Sequence, residues 1–240
     1  MPQVMDRLRV IQTLMDNFNL KNYLEIGVHA AHIFFKVKTK FKVAVDPEFR
    51  FTQWKKFTRT FTNPYNVYNQ YYEKTSDAFF AEDAARLFTN TPVQLAFIDG
   101  MHEYAYALRD IENSLKYLTD DGVIVLHDCN PTTESASVSF ADWQKRNYSG
   151  SWNGDVWKSI LHMRALRKDV TVFVLDTDEG LGVIVRKPDN NPIQLTAQQI
   201  KSLTYADLEK NRKEWLNLQS WDYLYKYFNL PVPTTVRPLR

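Results

Sequence analysis

Apolar residues along this chain follow two rhythms. Short, dense runs such as Val43-Ala44-Val45, Leu95-Ala96-Phe97-Ile98 and Val123-Ile124-Val125-Leu126 alternate with longer stretches in which apolar positions recur every three or four residues. Dense runs bounded by turn residues suit strands buried on both faces of a parallel sheet, and the longer period suits amphipathic helices. Val4 to Phe18, with Leu8, Ile11, Leu14, Met15 and Phe18 on one face, predicts a first helix. Strands are predicted at Tyr23–Gly27, Lys42–Asp46, Asn66–Tyr68, Val93–Asp99 and Gly122–His127. Helices are predicted at Ala30–Lys38, Phe51–Phe61, from an N-capping Ser76 to Phe88, and from Glu103 to Leu118. Asp155–Leu166 reads as a further helix, and Val170–Leu175 with Gly182–Arg186 as a closing pair of strands.

The regular alternation argues for an α/β fold: a doubly wound, mostly parallel, seven-stranded Rossmann-like sheet with an antiparallel last strand and helices on both faces. The whole chain, 1–240, reads as a single domain. Within it, 1–20 carries the N-terminal helix. The irregular stretch 131–154 is a candidate active-site loop, and 204–240, with helical spacing at Tyr205–Leu218 and Trp221–Phe228, is a helical extension.

Composition narrows the choice of partners. Thirty basic and 28 acidic residues leave a net charge of +2, too balanced overall to imply a nucleic-acid or membrane partner. Arg50 to Arg59 is the densest basic stretch and is expected on a solvated helix face. Cys129 is the only cysteine, which excludes an internal disulfide and, beside acidic neighbours, suits a buried structural thiol. The chain shows neither a signal-peptide pattern nor an apolar span of membrane length, so a cytoplasmic protein is expected. Nothing in the composition opposes a homo-oligomer.

Candidate chemistry gathers at the ends of the dense runs. Asp99-Gly100-Met101-His102 follows one strand and His127-Asp128 the next. Ligands of open α/β sheets bind at such strand ends. Two carboxylates and two imidazoles suit a divalent metal, or a general base with its orienting acid. Gly27 ends the first strand, and Asp46 ends the second about 20 residues later, where an acid can accept hydrogen bonds from both ribose hydroxyls. That pairing points to an adenosine-containing cofactor without separating NAD from S-adenosylmethionine.

Several segments stand in a familiar order: Tyr23-Leu24-Glu25-Ile26-Gly27-Val28, Val45-Asp46-Pro47, Thr75-Ser76-Asp77-Ala78-Phe79-Phe80, Phe97-Ile98-Asp99-Gly100-Met101-His102, Asp121 to Cys129, and Gly154-Asp155-Val156-Trp157-Lys158. Together, over about 22–218, they resemble the class I S-adenosylmethionine-dependent methyltransferases, in the branch of the macrocin- and mycinamicin-type sugar O-methyltransferases. The resemblance implies that Glu25 and Gly27 lie beside the methionine part of the cofactor, that Asp46 holds the ribose, and that Thr75 and Ser76 lie near the adenine. Asp99 would border the cofactor and, with Asp128, bind magnesium. His102 would be the general base, and His127, where some relatives carry an acid, a third metal ligand. The implied acceptor is a hydroxyl of a sugar or glycosylated small molecule. Ala31 departs from the pattern by replacing a second glycine. Two other readings stay open: an NAD-dependent oxidoreductase, which wants a fuller glycine fingerprint, and a catalytically inactive methyltransferase-like binding protein.

Overall fold

In the computed structural model the described residues are 3–146, 148, 150–234 and 236–238. The strands are β1 (Gln3–Met5), β2 (Asn22–Ile26), β3 (Phe41–Asp46), β4 (Gln70–Glu73), β5 (Val93–Ile98), β6 (Leu118–Leu126), β7 (Thr171–Leu175), β8 (Leu181–Val185), β9 (Leu218–Gln219) and β10 (Val236–Pro238). The α-helices are α1 (Arg7–Asn17), α2 (Gln53–Thr62), α3 (Ser76–Glu82), α4 (Ala84–Phe88), α5 (Tyr104–Tyr117), α6 (Phe140–Lys145), α7 (Trp157–Leu166), α8 (Ala197–Ser202), α9 (Tyr205–Trp215) and α10 (Tyr223–Tyr227). Eight strands run in the order β4-β3-β2-β5-β6-β8-β7-β9, and β1 pairs with β10 separately. The expected mostly parallel, Rossmann-like sheet is present, with β7–β8 as its antiparallel pair. It has eight strands rather than seven, because the short β9 joins β7 in parallel.

The chain divides into two compact units. One comprises Arg7–Gly100 and Arg109–Val125, the other Met1–Asp6, Met101–Leu108 and Leu126–Arg240. In the first, β2 lies in parallel register between β3 and β5, with Glu25 opposite Ala44 and Phe97. Both of its neighbours supply hydrogen bonds, so its core positions are dense: Tyr23, Leu24 and Ile26 are all buried. Helix α1 buries Val10, Ile11, Leu14 and Met15 as its apolar spacing predicts.

Several local expectations change. The chain starts with β1 before α1, so the N-terminal helix is shorter than Val4–Phe18. No helix forms at 30–38. His29 and Ala31 take positive φ values of 46° and 57°, which breaks the helical path at its start. Side chains from β3 and from beyond α2 then take the carbonyls that a helical ladder would use. Lys42 Nζ donates to Phe34 O and Val37 O at 2.8 and 2.9 Å, while Asn63 Nδ2 donates to Phe35 O and Val37 O, each at 3.0 Å. The third strand lies at Gln70–Glu73, after a 3-10 turn at Pro64–Asn66. Thr75, not Ser76, caps α3: its hydroxyl accepts from Ala78 N at 3.2 Å.

In the second unit, Cys129 is buried as expected. Helix α9 stops at Trp215 rather than continuing to Leu218, and the buried Arg164 donates to its last carbonyls, Glu214 O and, at 2.9 Å, Trp215 O. The stretch 131–154 contains a 3-10 turn at Ser135–Ser137 and α6, and its positions 147 and 149 lie outside the described residues, as do 1–2, 235 and 239–240 of the terminal segments. Among the described residues, no helix is long and apolar enough to cross a membrane.

Candidate active site

The turn after β2 is shaped by Gly27, at φ 84°. A Cβ there would stand 2.0 Å from Asp99 O and 2.5 Å from Gly100 Cα, so only glycine lets the ends of β2 and β5 come this close. Asp99 N donates to Ile26 O across the same contact at 2.8 Å. The Asp99 carboxylate is paired with Arg7, Nη1 to Oδ2 at 2.9 Å.

Asp46 ends β3 and lies almost fully buried. Its Oδ2 accepts from His29 N at 2.7 Å and its Oδ1 from Glu48 N at 2.8 Å. An ionised carboxylate has about four acceptor positions, so two remain for a diol. Glu25 is placed differently. It is buried within the unit, and Tyr23 Oη donates to its Oε2 at 2.5 Å. Burial raises its carboxyl from 4.5 to about 8 against the lowering pull of the Tyr23 hydrogen bond, and burial likewise lowers the Lys42 ammonium from 10.5 to about 7. Thr75 is exposed at the start of α3, while Ser76 donates to Asp110. Asp110, which the sequence reading missed, is raised to about 7 by burial. A lone acid on the inward face of an amphipathic helix was its signal.

In the second unit His102, His127 and Asp128 do come together. His102 Nδ1 and His127 Nδ1 approach Asp128 Oδ2 at 3.1 and 3.0 Å. Neither is aligned as a hydrogen bond, so this buried oxygen keeps accepting capacity. Asp128 Oδ1 accepts from Asn153 Nδ2 at 2.5 Å. His102 Nδ1 also lies 2.9 Å from the carbonyl oxygen of Trp152, and the indole stacks on the imidazole with ring centres 5.2 Å apart. A carbonyl can only accept, so Nδ1 carries the proton and the neutral ring has its lone pair on Nε2. Gly154 is needed beside it, since a Cβ there would fall 1.6 Å from His102 O.

Asp178 completes this cluster: its Oδ1 lies 3.6 Å from His127 Nε2, so His127 stands between two carboxylates. Asp178, Asn153 and Trp152 were not singled out from sequence, because they lie 25 to 51 positions from the histidines and aspartate they meet and belong to no short motif. A buried carboxylate oxygen with spare lone pairs, set among imidazoles, fits a divalent cation. His127 would have to give up a carboxylate contact to ligate one. His102, with Nδ1 held by a carbonyl, fits a base better than a ligand.

Residues 24–129 match the family described as a methyltransferase domain. The match covers a little under half of the chain. No curated protein matches it in sequence. Among solved structures, this chain is similar to an O-methyltransferase from Bacillus cereus in complex with SAH, at 13% identity and a TM-score of 0.54, over 75% of this chain and 80% of that one. A putative O-methyltransferase from Klebsiella pneumoniae aligns at 11% identity and a TM-score of 0.55, over 75% and 80%. The O-methyltransferase TomG from Streptomyces achromogenes, involved in tomaymycin synthesis and solved with SAM, aligns at 12% and 0.50, over 75% and 79%. At these identities the chain shares their fold.

Proposed function

We propose that this methyltransferase uses S-adenosylmethionine to methylate a hydroxyl of a sugar or glycosylated small molecule, with a divalent cation, magnesium by preference, held by Asp99 and Asp128. One observation carries the reading: the matched stretch 24–129 includes Glu25, Gly27, Asp46, Thr75, Ser76, Asp99, His102, His127 and Asp128, every candidate named from the sequence. The solved relatives with bound SAH and SAM support the choice of cofactor over NAD.

When bound, the cofactor supplies a methyl group already activated on a sulfonium sulfur, and the cation supplies positive charge that lowers the pKa of a nearby hydroxyl. The chain's own work is positioning and proton handling. Asp46 accepts from the ribose hydroxyls with the lone pairs its two backbone contacts leave over. His102 Nε2 takes the proton of the acceptor hydroxyl, and the Trp152 carbonyl and Asp128 carboxylate stabilise the imidazolium that results. Trp152, itself packed on Phe140 at 4.9 Å, shields one face of that ring from water.

Calorimetry on the purified chain tests the proposal. S-adenosylmethionine is expected to bind and NADH not to. Asp46→Ala should weaken binding by about 1.5–3 kcal/mol, the range for hydrogen bonds to a charged group. Binding of NADH alone would establish the oxidoreductase reading. With an acceptor in hand, turnover that survives exhaustive chelation would remove the metal and leave base assistance alone.

A further inference from the structure

Helix α2 has no buried residue, unlike the helices that cover a core. Its apolar side chains are large and aromatic, and they point outward: Trp54 is 71% exposed, Phe57 53% and Phe61 73%. Spaced at i, i+3 and i+7, they form one stripe, with ring centres 5.6 Å apart between Trp54 and Phe57 and 4.9 Å between Phe57 and Phe61. In the turn after the helix, Tyr65 and Tyr68 are also exposed. Contiguous exposed aromatic surface of this kind marks an interaction site.

The charges within this segment of the chain are of one sign. From Phe49 to Tyr72 the chain holds Arg50, Lys55, Lys56 and Arg59 and not one aspartate or glutamate. Lys55 donates to Ala30 O at 2.9 Å, and Lys56 lies over the Tyr71 ring at 4.1 Å, so both ammonium groups are held at the base of the helix. Arg59 is exposed, and Arg50 reaches only Glu48, at 3.4 Å. The near-neutral charge of the whole chain hides this local excess. An amphipathic helix with tryptophan and phenylalanine on one face and cations beside them is the type that lies in the interface of an anionic bilayer, rings among the acyl chains and cations at the headgroups.

We infer that α2 and the turn after it dock this methyltransferase on an anionic lipid membrane. A second copy fits less well, because a two-fold contact through this face would set the exposed Arg59 and the cations beside it against their own copies. A nucleic acid also fits less well. The three rings are packed edge to face or tilted against each other, not spread as separate platforms for bases. The inference does not depend on the cofactor or the metal. It does bear on the acceptor, since a docked enzyme would meet substrates at or in the membrane.

Co-sedimentation with vesicles of phosphatidylcholine alone, or with 30 mol% phosphatidylglycerol, tests it. The wild-type chain is expected to pellet with the anionic vesicles at least tenfold more than with the neutral ones. Trp54→Ser/Phe57→Ser/Phe61→Ser should abolish pelleting, and Arg59→Glu should weaken it severalfold, with circular dichroism and melting temperature unchanged in both. All four side chains are exposed, and none belongs to the candidate active site. Absence of pelleting at low salt overturns the inference. So does equal pelleting with neutral vesicles, or a wild-type dimer that the triple variant converts to monomer while vesicles bind neither. Stronger binding to a single-stranded oligonucleotide than to the vesicles would also overturn it.

Discussion

His102 shows how one backbone carbonyl can decide a side chain's chemistry. Trp152 O fixes the proton on Nδ1, and the lone pair on Nε2 follows. His102→Ala should therefore lower turnover by about 10²–10⁴-fold, the usual contribution of a positioned base, and leave affinity for S-adenosylmethionine nearly intact. A variant that melts lower yet turns over at the wild-type rate would assign His102 to structure instead. Glu25 offers a second test at this scale, read in stability rather than rate. Its carboxyl is raised to about 8 by burial, so folding takes up a proton. The contribution is fully present below its unfolded value and is lost as pH rises toward 8. Glu25→Gln keeps an acceptor for Tyr23 and has no proton to lose. From about pH 5 to about 7 the wild type should thus lose melting temperature relative to the variant. Below about pH 6 Lys42 is mostly charged in both states, so the lower part of that window reads Glu25. Parallel melting curves would remove the shifted carboxyl.

Elements were legible from sequence wherever neighbouring residues decide them. Dense apolar runs gave β3, β5 and most of β6, and the spacing of Leu14, Met15 and their partners gave α1. The segment at 30–38 has helical spacing too, yet its carbonyls are taken by Lys42, Asn63 and Asn66, partners that no local pattern announces. Arg164 does similar work for α9, donating to the carbonyls of Glu214 and Trp215 and, at 2.7 Å, to Asn191 O. Each buried carbonyl left without a donor costs about 1–3 kcal/mol. Arg164→Met should accordingly destabilise the chain by roughly 3 kcal/mol, or about 6–12 °C in melting temperature for a protein of this size. A shift under about 2 °C would mean that water replaces the guanidinium at no cost.

Across the whole molecule, the class of fold was plain from the alternation of runs and helices, while the strand count was not. β9 is two residues long and is a strand only because β7 lies beside it. The candidate residues were legible in the same uneven way. His127 and Asp128 adjoin in sequence, but Asp178 reaches them from far along the chain, and Arg7 meets Asp99 across 92 positions. Pairings made only by folding leave no local trace. The buried amine of Lys42 turns one such pairing into a clock. Burial lowers its pKa to about 7 and closes it to reagents, so it can be acylated only when the structure around it opens, and it then reacts as an ordinary lysine. Its labelling should therefore track how often the 31–37 segment opens, and run orders of magnitude slower than that of surface lysines such as Lys187. Peptide mapping after a timed pulse of acetylating reagent reads that interval directly, and a ligand that steadies the turn after β2 should lengthen it.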